Sequence, residues 1–165
     1  MQKITTFLPE IKLVGITTRT NNKAMFERDP SINKIAALVQ KYFHNGLSAK
    51  MTNRQKPGTT FCVYTDYESD HHGDFTYFIG EEVSSFDNIP DEFTPLTIPT
   101  QNYAKFTNGP GPMPDICINL WQHIWQMNPK DFGAPRSYQT DFEIYDERAH
   151  DHQNVVFDVF IGVDA

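Results

Sequence analysis

The stretch 61-FCVY-64, followed by 75-FTYFIG-80, recurs later in the chain as 142-FEIY-145 followed by 157-FDVFIG-162. The first match is offset by 81 residues and the second by 82, so the two copies differ by one residue in the intervening turn. All four segments are rich in aromatic and β-branched residues, which favours β-strands. Two matches at nearly the same offset indicate that a structural unit is duplicated within the chain.

In the first unit, a strand and a helix are predicted before the two repeated segments. Residues 11–20 alternate apolar with polar or small side chains, which predicts a strand. Apolar residues at three- and four-residue spacing over 35–43 predict an amphipathic helix. Asp29 or Ser31 is the expected N-cap, and Pro30 is favourable in the first turn of a helix that Asp29 caps.

The second unit repeats this order. A strand is predicted over 96–107, and Pro99 within it suggests an edge position or a bulge. Pro114 and Asp115 then open a second helix with a broad apolar stripe. The two copied strands follow, so both halves of the chain have the order β-α-β-β.

These units, at about residues 5–86 and 94–164, are predicted to form one domain over 1–165. Neither unit can bury both a sheet face and a helix stripe by itself. We therefore predict an α+β fold with one curved antiparallel sheet, or alternatively two abutting half-sheets, and with both helices on one face. The pseudo-two-fold seam between the units is the expected position of a ligand groove, because such interfaces often form pockets.

The chain has 165 residues and a net charge of −7, but the charge is unevenly distributed. Residues 1–56 carry +7, whereas residues 57–165 carry −14. The acidic part disfavours nucleic-acid binding and suits a cationic partner, although acidic surface also serves solubility alone. Two cysteines form neither a disulfide framework nor a four-cysteine zinc site.

Targeting and enzyme motifs are not found in the sequence. It contains no apolar run near the length of a membrane span and no signal peptide, which predicts a cytoplasmic protein. The sequence has no phosphate-binding glycine loop, no GxSxG nucleophile elbow and no HExxH zinc motif. About ten residues precede the first predicted strand, which are too few for a helix-turn-helix.

Glu143 is the candidate for charge recognition. In a strand, Glu143 and Tyr145 share one face, as Cys62 and Tyr64 do in the first copy. We assign this face to the side away from the helices. A carboxylate among aromatic rings can bind an organic cation by charge pairing and cation–π contacts. The alternative is that Glu143 is an ordinary strand residue facing solvent.

Aromatic residues on other elements could complete this site. Phe142 and Ile144, on the opposite face of the strand, are assigned to the helices. Trp121 and Trp125 lie four residues apart on the second helix, so one is expected in the core while the other could cover the seam. Further candidates for an aromatic wall, each of which could instead belong to the core, are Tyr67, Tyr77, Tyr103 and Phe160. The predicted ligand-binding residues are therefore Glu143, Trp121, Trp125, Tyr64, Tyr67 and Tyr145.

Two histidine-containing turns raise the question of metal binding. Asp70-His71-His72 and His150-Asp151-His152 occupy matching hairpin turns of the two units. Imidazole and carboxylate groups bind zinc and similar ions. Turns are polar for general reasons, however, and two turns need not meet in space. The sequence therefore favours solvated turns, and we predict neither a metal nor a cofactor.

Several segments together resemble a known family, the GyrI-like small-molecule-binding domains, which also occur as effector-binding domains of AraC-type and MerR-type regulators. The resemblance covers about residues 5–163. It is carried by 14-VGITTRT-20, 59-TTFCVYTDYESD-70, 76-TYFIGEEVSS-85, 98-IPTQNYAKFTNGPGPMP-114, 119-NLWQHIW-125 and 141-DFEIYDER-148.

This resemblance implies a duplicated β-α-β-β fold with a pocket at the seam. In multidrug-sensing members such a pocket binds cationic lipophilic compounds through a buried glutamate ringed by aromatic residues. Glu143 matches the position of that glutamate, and Tyr145, Trp121 and Tyr67 match aromatic positions less closely. The chain departs from the regulators because its sequence shows no DNA-binding module.

Three functional hypotheses follow. The first is a stand-alone protein that binds cationic or lipophilic small molecules, in the manner of a regulator's sensor domain, with no catalytic residue. The second is a hydrolase of electrophilic small molecules, in which Glu143 is the general base and a tyrosine is the acid. The third is an interaction protein that inhibits a basic partner such as a DNA-handling enzyme.

Overall fold

An eight-stranded antiparallel sheet forms the centre of the fold. The computed structural model describes residues 2–27, 29 and 31–164. The strands are β1 (Gln2–Leu8), β2 (Ile11–Thr20), β3 (Thr60–Thr65), β4 (Phe75–Glu82), β5 (Thr94–Ile98), β6 (Gln101–Gly111), β7 (Thr140–Tyr145) and β8 (Val155–Val163). The helices are α1 (Lys34–His44), α2 (Asp115–Ile124) and the short α3 (Pro129–Phe132). Short 3-10 helices occur at Lys23–Phe26, Leu47–Lys50 and Glu147–Ala149.

The strand order confirms the duplicated α+β architecture. The sheet runs β1-β6-β8-β7-β3-β4-β2-β5, so β6-β8-β7 and β2-β4-β3 are two equivalent trios that meet at the β7–β3 pair. At this seam Cys62 lies directly opposite Glu143. These two residues are also equivalent positions of the sequence repeat, so the pseudo-two-fold axis passes between them. The exact bounds of the two units remain a prediction.

Two short connections force the sheet to curl. Leu8 of β1 and Ile11 of β2 are three residues apart, as are Ile98 of β5 and Gln101 of β6. Such a connection reaches at most about 11 Å. In each case the joined strands are six places apart in the sheet, which is roughly 29 Å in a flat sheet. The sheet must therefore bend until its outer strands approach each other.

Both faces of the curled sheet are hydrophobic. On one face α1 and α2 pack over a core that includes Cys62 and Tyr64. On the other face Phe61 and Phe142 belong to a second cluster. This second cluster includes residues beside the two short connections, so it lies inside the curl. Helices bury the first face and curvature buries the second.

The predicted assignment of the two faces is wrong. Glu143 and Tyr145 lie on the helix side, because the Glu143 carboxylate accepts a hydrogen bond from Trp121 of α2. Phe142 and Ile144 belong to the opposite cluster. The reason is the curl of the sheet. It gives the face without helices an apolar interior of its own, so apolar residues on β7 do not identify the helix side.

The first helix starts later than predicted. The N-cap of α1 is Asn33, whose side chain accepts a hydrogen bond from the Ala36 N–H at 3.1 Å. Asp29 instead stabilises a preceding turn by accepting the Ser31 N–H at 3.0 Å. Pro30 lies outside the described residues. The second helix begins at Asp115, as predicted.

The predicted strand over 96–107 is two strands. The chain leaves β5 at Ile98 and enters β6 at Gln101, and Pro99 lies between them. Proline has no N–H to donate to a ladder, so the break falls at that position. The expected edge position is correct for β5, which pairs with β2 and ends the sheet. Within the described residues, no helix is long and apolar enough to cross a membrane.

Candidate functional site

Glu143 is a buried carboxylate at the seam between the two units. It lies in the middle of β7 and is only 2% exposed. Its side chain points toward α2, which places Trp121 and Cys117 above it. Tyr64 of the neighbouring strand β3 and Tyr145 of β7 itself lie beside it. Two strands and one helix thus enclose the carboxylate.

In the part of the chain that the structure describes, every hydrogen-bond donor to Glu143 is neutral. Its Oε2 accepts the Tyr64 hydroxyl at 2.7 Å and the Trp121 indole N–H at 2.5 Å. Its Oε1 accepts the Tyr145 hydroxyl at 2.6 Å. The Cys117 thiol is a weaker donor, 3.5 Å from Oε2. Burial raises the pKa of Glu143, and these hydrogen bonds oppose the rise only in part.

A second buried carboxylate on the same strand shows what Glu143 lacks. Asp141 faces the same side of β7 and pairs with the Arg136 guanidinium at 2.6 Å, both side chains being almost fully buried. It also accepts the Tyr67 hydroxyl and the Gly162 N–H. No ion pair in the described part of the chain involves Glu143. Asp141 has a cationic partner within the protein, and among the described residues Glu143 has none.

Aromatic rings form the walls around the Glu143 carboxylate. The centroid of the Tyr64 ring is 4.7 Å from that of Trp121 and 5.3 Å from that of Tyr77. The Tyr145 ring stacks on Phe157 at 4.9 Å. The faces of such rings attract cations. The site therefore combines a buried carboxyl group with several closely packed aromatic rings.

The structure brings together four of the six predicted site residues. Glu143, Tyr64, Tyr145 and Trp121 are in direct hydrogen-bond contact, as described above. Tyr67 instead donates its hydroxyl to Asp141 at 2.6 Å. Trp125 directly follows α2, and its ring packs near Phe26 and His71.

Cys117 is not among the predicted site residues, and Tyr77 is predicted only as a candidate for the aromatic wall. Cys117 precedes Trp121 by four residues and so lies on the same side of α2. It appeared in the sequence only as part of an apolar stripe. Tyr77 is buried on β4 and packs against Tyr64. Its position two strands away from Glu143 depends on the sheet order, which local sequence does not specify.

A groove runs along a different side of α2. Its volume is about 650 Å³, and it is lined by residues of α2 and of the segment 108–112, among them Ile116, Asn119 and His123. Trp121 and Cys117 point away from this groove and toward Glu143. Helix α2 therefore separates an open groove from the covered carboxylate.

Comparison with known proteins identifies the family. The sequence profile of Cass2, described as "Integron-associated effector binding protein", matches residues 4–163. The chain belongs to this family. Membership confirms the resemblance to stand-alone effector-binding domains and shows a protein that binds small molecules.

Individual relatives agree with this assignment. YobU of Bacillus subtilis (strain 168), provisionally named a transcriptional regulator protein, is 25% identical over 152 residues, which cover 92% of this chain and 91% of YobU. An integron cassette protein from the mobile metagenome of Vibrio cholerae has a TM-score of 0.74 at 25% identity, with 98% of this chain and 95% of that one covered. SAV2435, solved bound to tetraphenylphosphonium, shares the fold with a TM-score of 0.78 at 16% identity, with 100% and 95% covered.

Proposed function

We propose that this Cass2-family protein binds lipophilic organic cations at Glu143 and serves as a stand-alone sensor of such compounds. The observation that carries the proposal is the buried Glu143 carboxylate, whose hydrogen-bond donors among the described residues are all neutral. An ionised group removed from water is destabilised unless a charge of opposite sign compensates it. A bound cation would supply that charge.

The aromatic residues of the site indicate that the ligand is lipophilic as well as cationic. Tyr64, Tyr145 and Trp121 surround the carboxylate with aromatic rings, each of which turns a polar O–H or N–H edge toward it. A cation with apolar or aromatic substituents would gain from these rings. A small hydrophilic cation would lose its hydration and find few acceptors to replace it. The site therefore favours a large cation with diffuse charge.

Helix α2 is the part of the site that a ligand would have to move. Tyr64 and Tyr145 are carried by paired strands of the sheet, whereas Trp121 and Cys117 are carried by α2. A shift of α2 therefore leaves the backbone hydrogen bonds between β3 and β7 intact, whereas opening the sheet would break them. We expect the ligand to replace Trp121 beside Oε2 while Tyr145 stays on Oε1.

Two further observations support a cationic ligand. SAV2435, which shares this fold, was solved with tetraphenylphosphonium, a lipophilic cation. In addition, the segment between Pro57 and Ala104 contains nine carboxylates and no lysine or arginine. Such a segment would attract cations over a distance of about 10 Å at moderate salt.

Thermal unfolding with matched ions tests the proposal. Tetraphenylphosphonium and rhodamine 6G should raise the melting temperature, and tetraphenylborate, an anion of almost the same shape, should not. Glu143→Gln should abolish the shift. Glu81→Gln is the control, because Glu81 is also 2% exposed but lies on β4. Equal stabilisation of the wild type by both tetraphenyl ions, or an unchanged shift in Glu143→Gln, would rule out charge recognition.

A further inference from the structure

The turn between β3 and β4 brings three possible metal ligands together. One ligand atom from each of Asp70, His71 and His72 lies within 4.8 Å of the other two. The two imidazole rings are adjacent, with centroids 4.1 Å apart. Imidazole nitrogen and carboxylate oxygen are the ligand types that zinc and other first-row divalent ions prefer.

His71 has an unsatisfied nitrogen. Its Nδ1 is buried and has no hydrogen-bond partner among the described residues. Buried side-chain nitrogens normally have a partner, so an exception calls for a physical reason. A coordinated metal ion would be such a partner for an imidazole nitrogen.

The turn is held in position before any ion binds. The His71 carbonyl accepts a hydrogen bond from the Asn22 side chain at 2.8 Å, and Asp70 Oδ1 accepts the His72 N–H at 2.9 Å. The His71 ring lies parallel to the Trp125 ring, with centroids 6.1 Å apart. The ligands are therefore preorganised, and one of them packs against the residue that follows α2.

The matching turn of the second unit provides an internal comparison. It contains the same residue types as His150-Asp151-His152. There both oxygens of the Asp151 carboxylate already accept hydrogen bonds, from the Gln153 N–H at 3.0 Å and from the Asn154 amide at 2.9 Å. Within the described ranges these three residues do not form a cluster of possible ligands. Composition is the same in the two turns, but geometry is not.

We propose that Asp70, His71 and His72 form a binding site for a divalent transition metal ion of the zinc type. Three protein ligands leave a coordination position for water, as in open zinc sites. The ion would fasten the β3–β4 turn in the orientation in which His71 packs on Trp125. This site is separate from the Glu143 carboxylate and does not depend on the proposed cation binding.

Titration of untagged, metal-free protein with Zn²⁺ and Ni²⁺ tests the site. Calorimetry should give one ion per chain, and Ni²⁺ should quench tryptophan fluorescence because Trp125 lies beside His71. His72→Gln should weaken binding at least about tenfold, since loss of even an outer-sphere partner typically costs 10–100-fold. Asp70→Asn should weaken binding in the same direction.

Controls separate this site from ordinary surface histidines. His72 is exposed, so its replacement should leave the fold intact, which circular dichroism would verify. His152→Gln should bind as the wild type does, and so should Glu143→Gln. The proposal fails if millimolar Zn²⁺ gives no saturable binding, or if His152→Gln weakens binding as much as His72→Gln.

Discussion

Binding of an organic cation at Glu143 should release a proton at acidic pH. Burial raises the pKa of this carboxyl group in the free protein, although the four surrounding donors oppose the shift. A cation beside the group favours its ionised form and so lowers the pKa again. Below the pKa of the free protein, the ligand must therefore displace the carboxyl proton in order to bind.

The number of protons released, and the change of affinity with pH, follow from the thermodynamic linkage between ligand binding and proton binding. Glu143 is one group without a partner cation in the described structure, so at most one proton leaves for each ligand bound. Below the pKa of Glu143 in the free protein, affinity should rise about tenfold for each pH unit. Above that pKa the group is already ionised, and affinity should become constant.

Isothermal titration calorimetry with tetraphenylphosphonium measures both the number of protons released and the affinity. Titrations in two buffers of different ionisation enthalpy report the protons released, and a pH series reports the affinity. Glu143→Gln should bind weakly and without dependence on pH. If wild-type affinity is the same across the acidic and neutral range and no proton is released, Glu143 does not neutralise the ligand.

Three further predictions concern folding stability. Trp121→Phe removes an indole N–H bonded to the buried glutamate and should lower the free energy of unfolding by about 1.5–3 kcal/mol in urea titrations. Trp125→Phe should cost less, because the Trp125 Nε1 has no partner within the described chain; equal losses would contradict the assigned hydrogen bond. Arg136→Met leaves Asp141 as an uncompensated buried charge and should cost about 3–5 kcal/mol, a loss that Asp141→Asn in the same chain should partly restore. Burial raises the pKa of Glu81, so the folded state holds the carboxyl proton more tightly than the unfolded state does. The free energy of unfolding should therefore fall as pH rises through the pKa of Glu81 in the folded state. Glu81→Gln should make the free energy of unfolding less dependent on pH in that range.

Local patterns predicted most secondary structure because each element depends on near neighbours in the chain. The strands at 11–20, 61–64 and 142–145 and the helix that opens at Asp115 were found from periodicity and from proline positions. At Pro99 the sequence predicts an edge position or a bulge within one strand, whereas the structure has a break between β5 and β6. Whether the chain continues or turns there depends on which strands lie beside it, and that is a property of the whole sheet.

The composition of the candidate site was partly predictable. Glu143, Tyr64 and Tyr145 follow from alternation along two strands that the repeat aligns. Trp121 and Trp125 could not be separated in advance, because both lie on the apolar side of α2. Only packing shows that the first donates to Glu143, whereas the second lies near Phe26.

The sequence by itself determined the duplicated order of elements, which strands correspond between the two units, and the choice of Glu143 as the candidate carboxylate. These depend on residue type and spacing, which a repeat makes visible twice. The tertiary structure decided which face of the sheet Glu143 occupies. It also decided which of the two buried carboxylates on β7 has a cationic side chain as a partner among the described residues. The physical reason is the curl imposed by two short connections. It buries both faces, so alternation along β7 cannot tell them apart. Side-chain packing decides the rest: within the described residues, Asp141 pairs with Arg136, whereas Glu143 contacts only neutral donors.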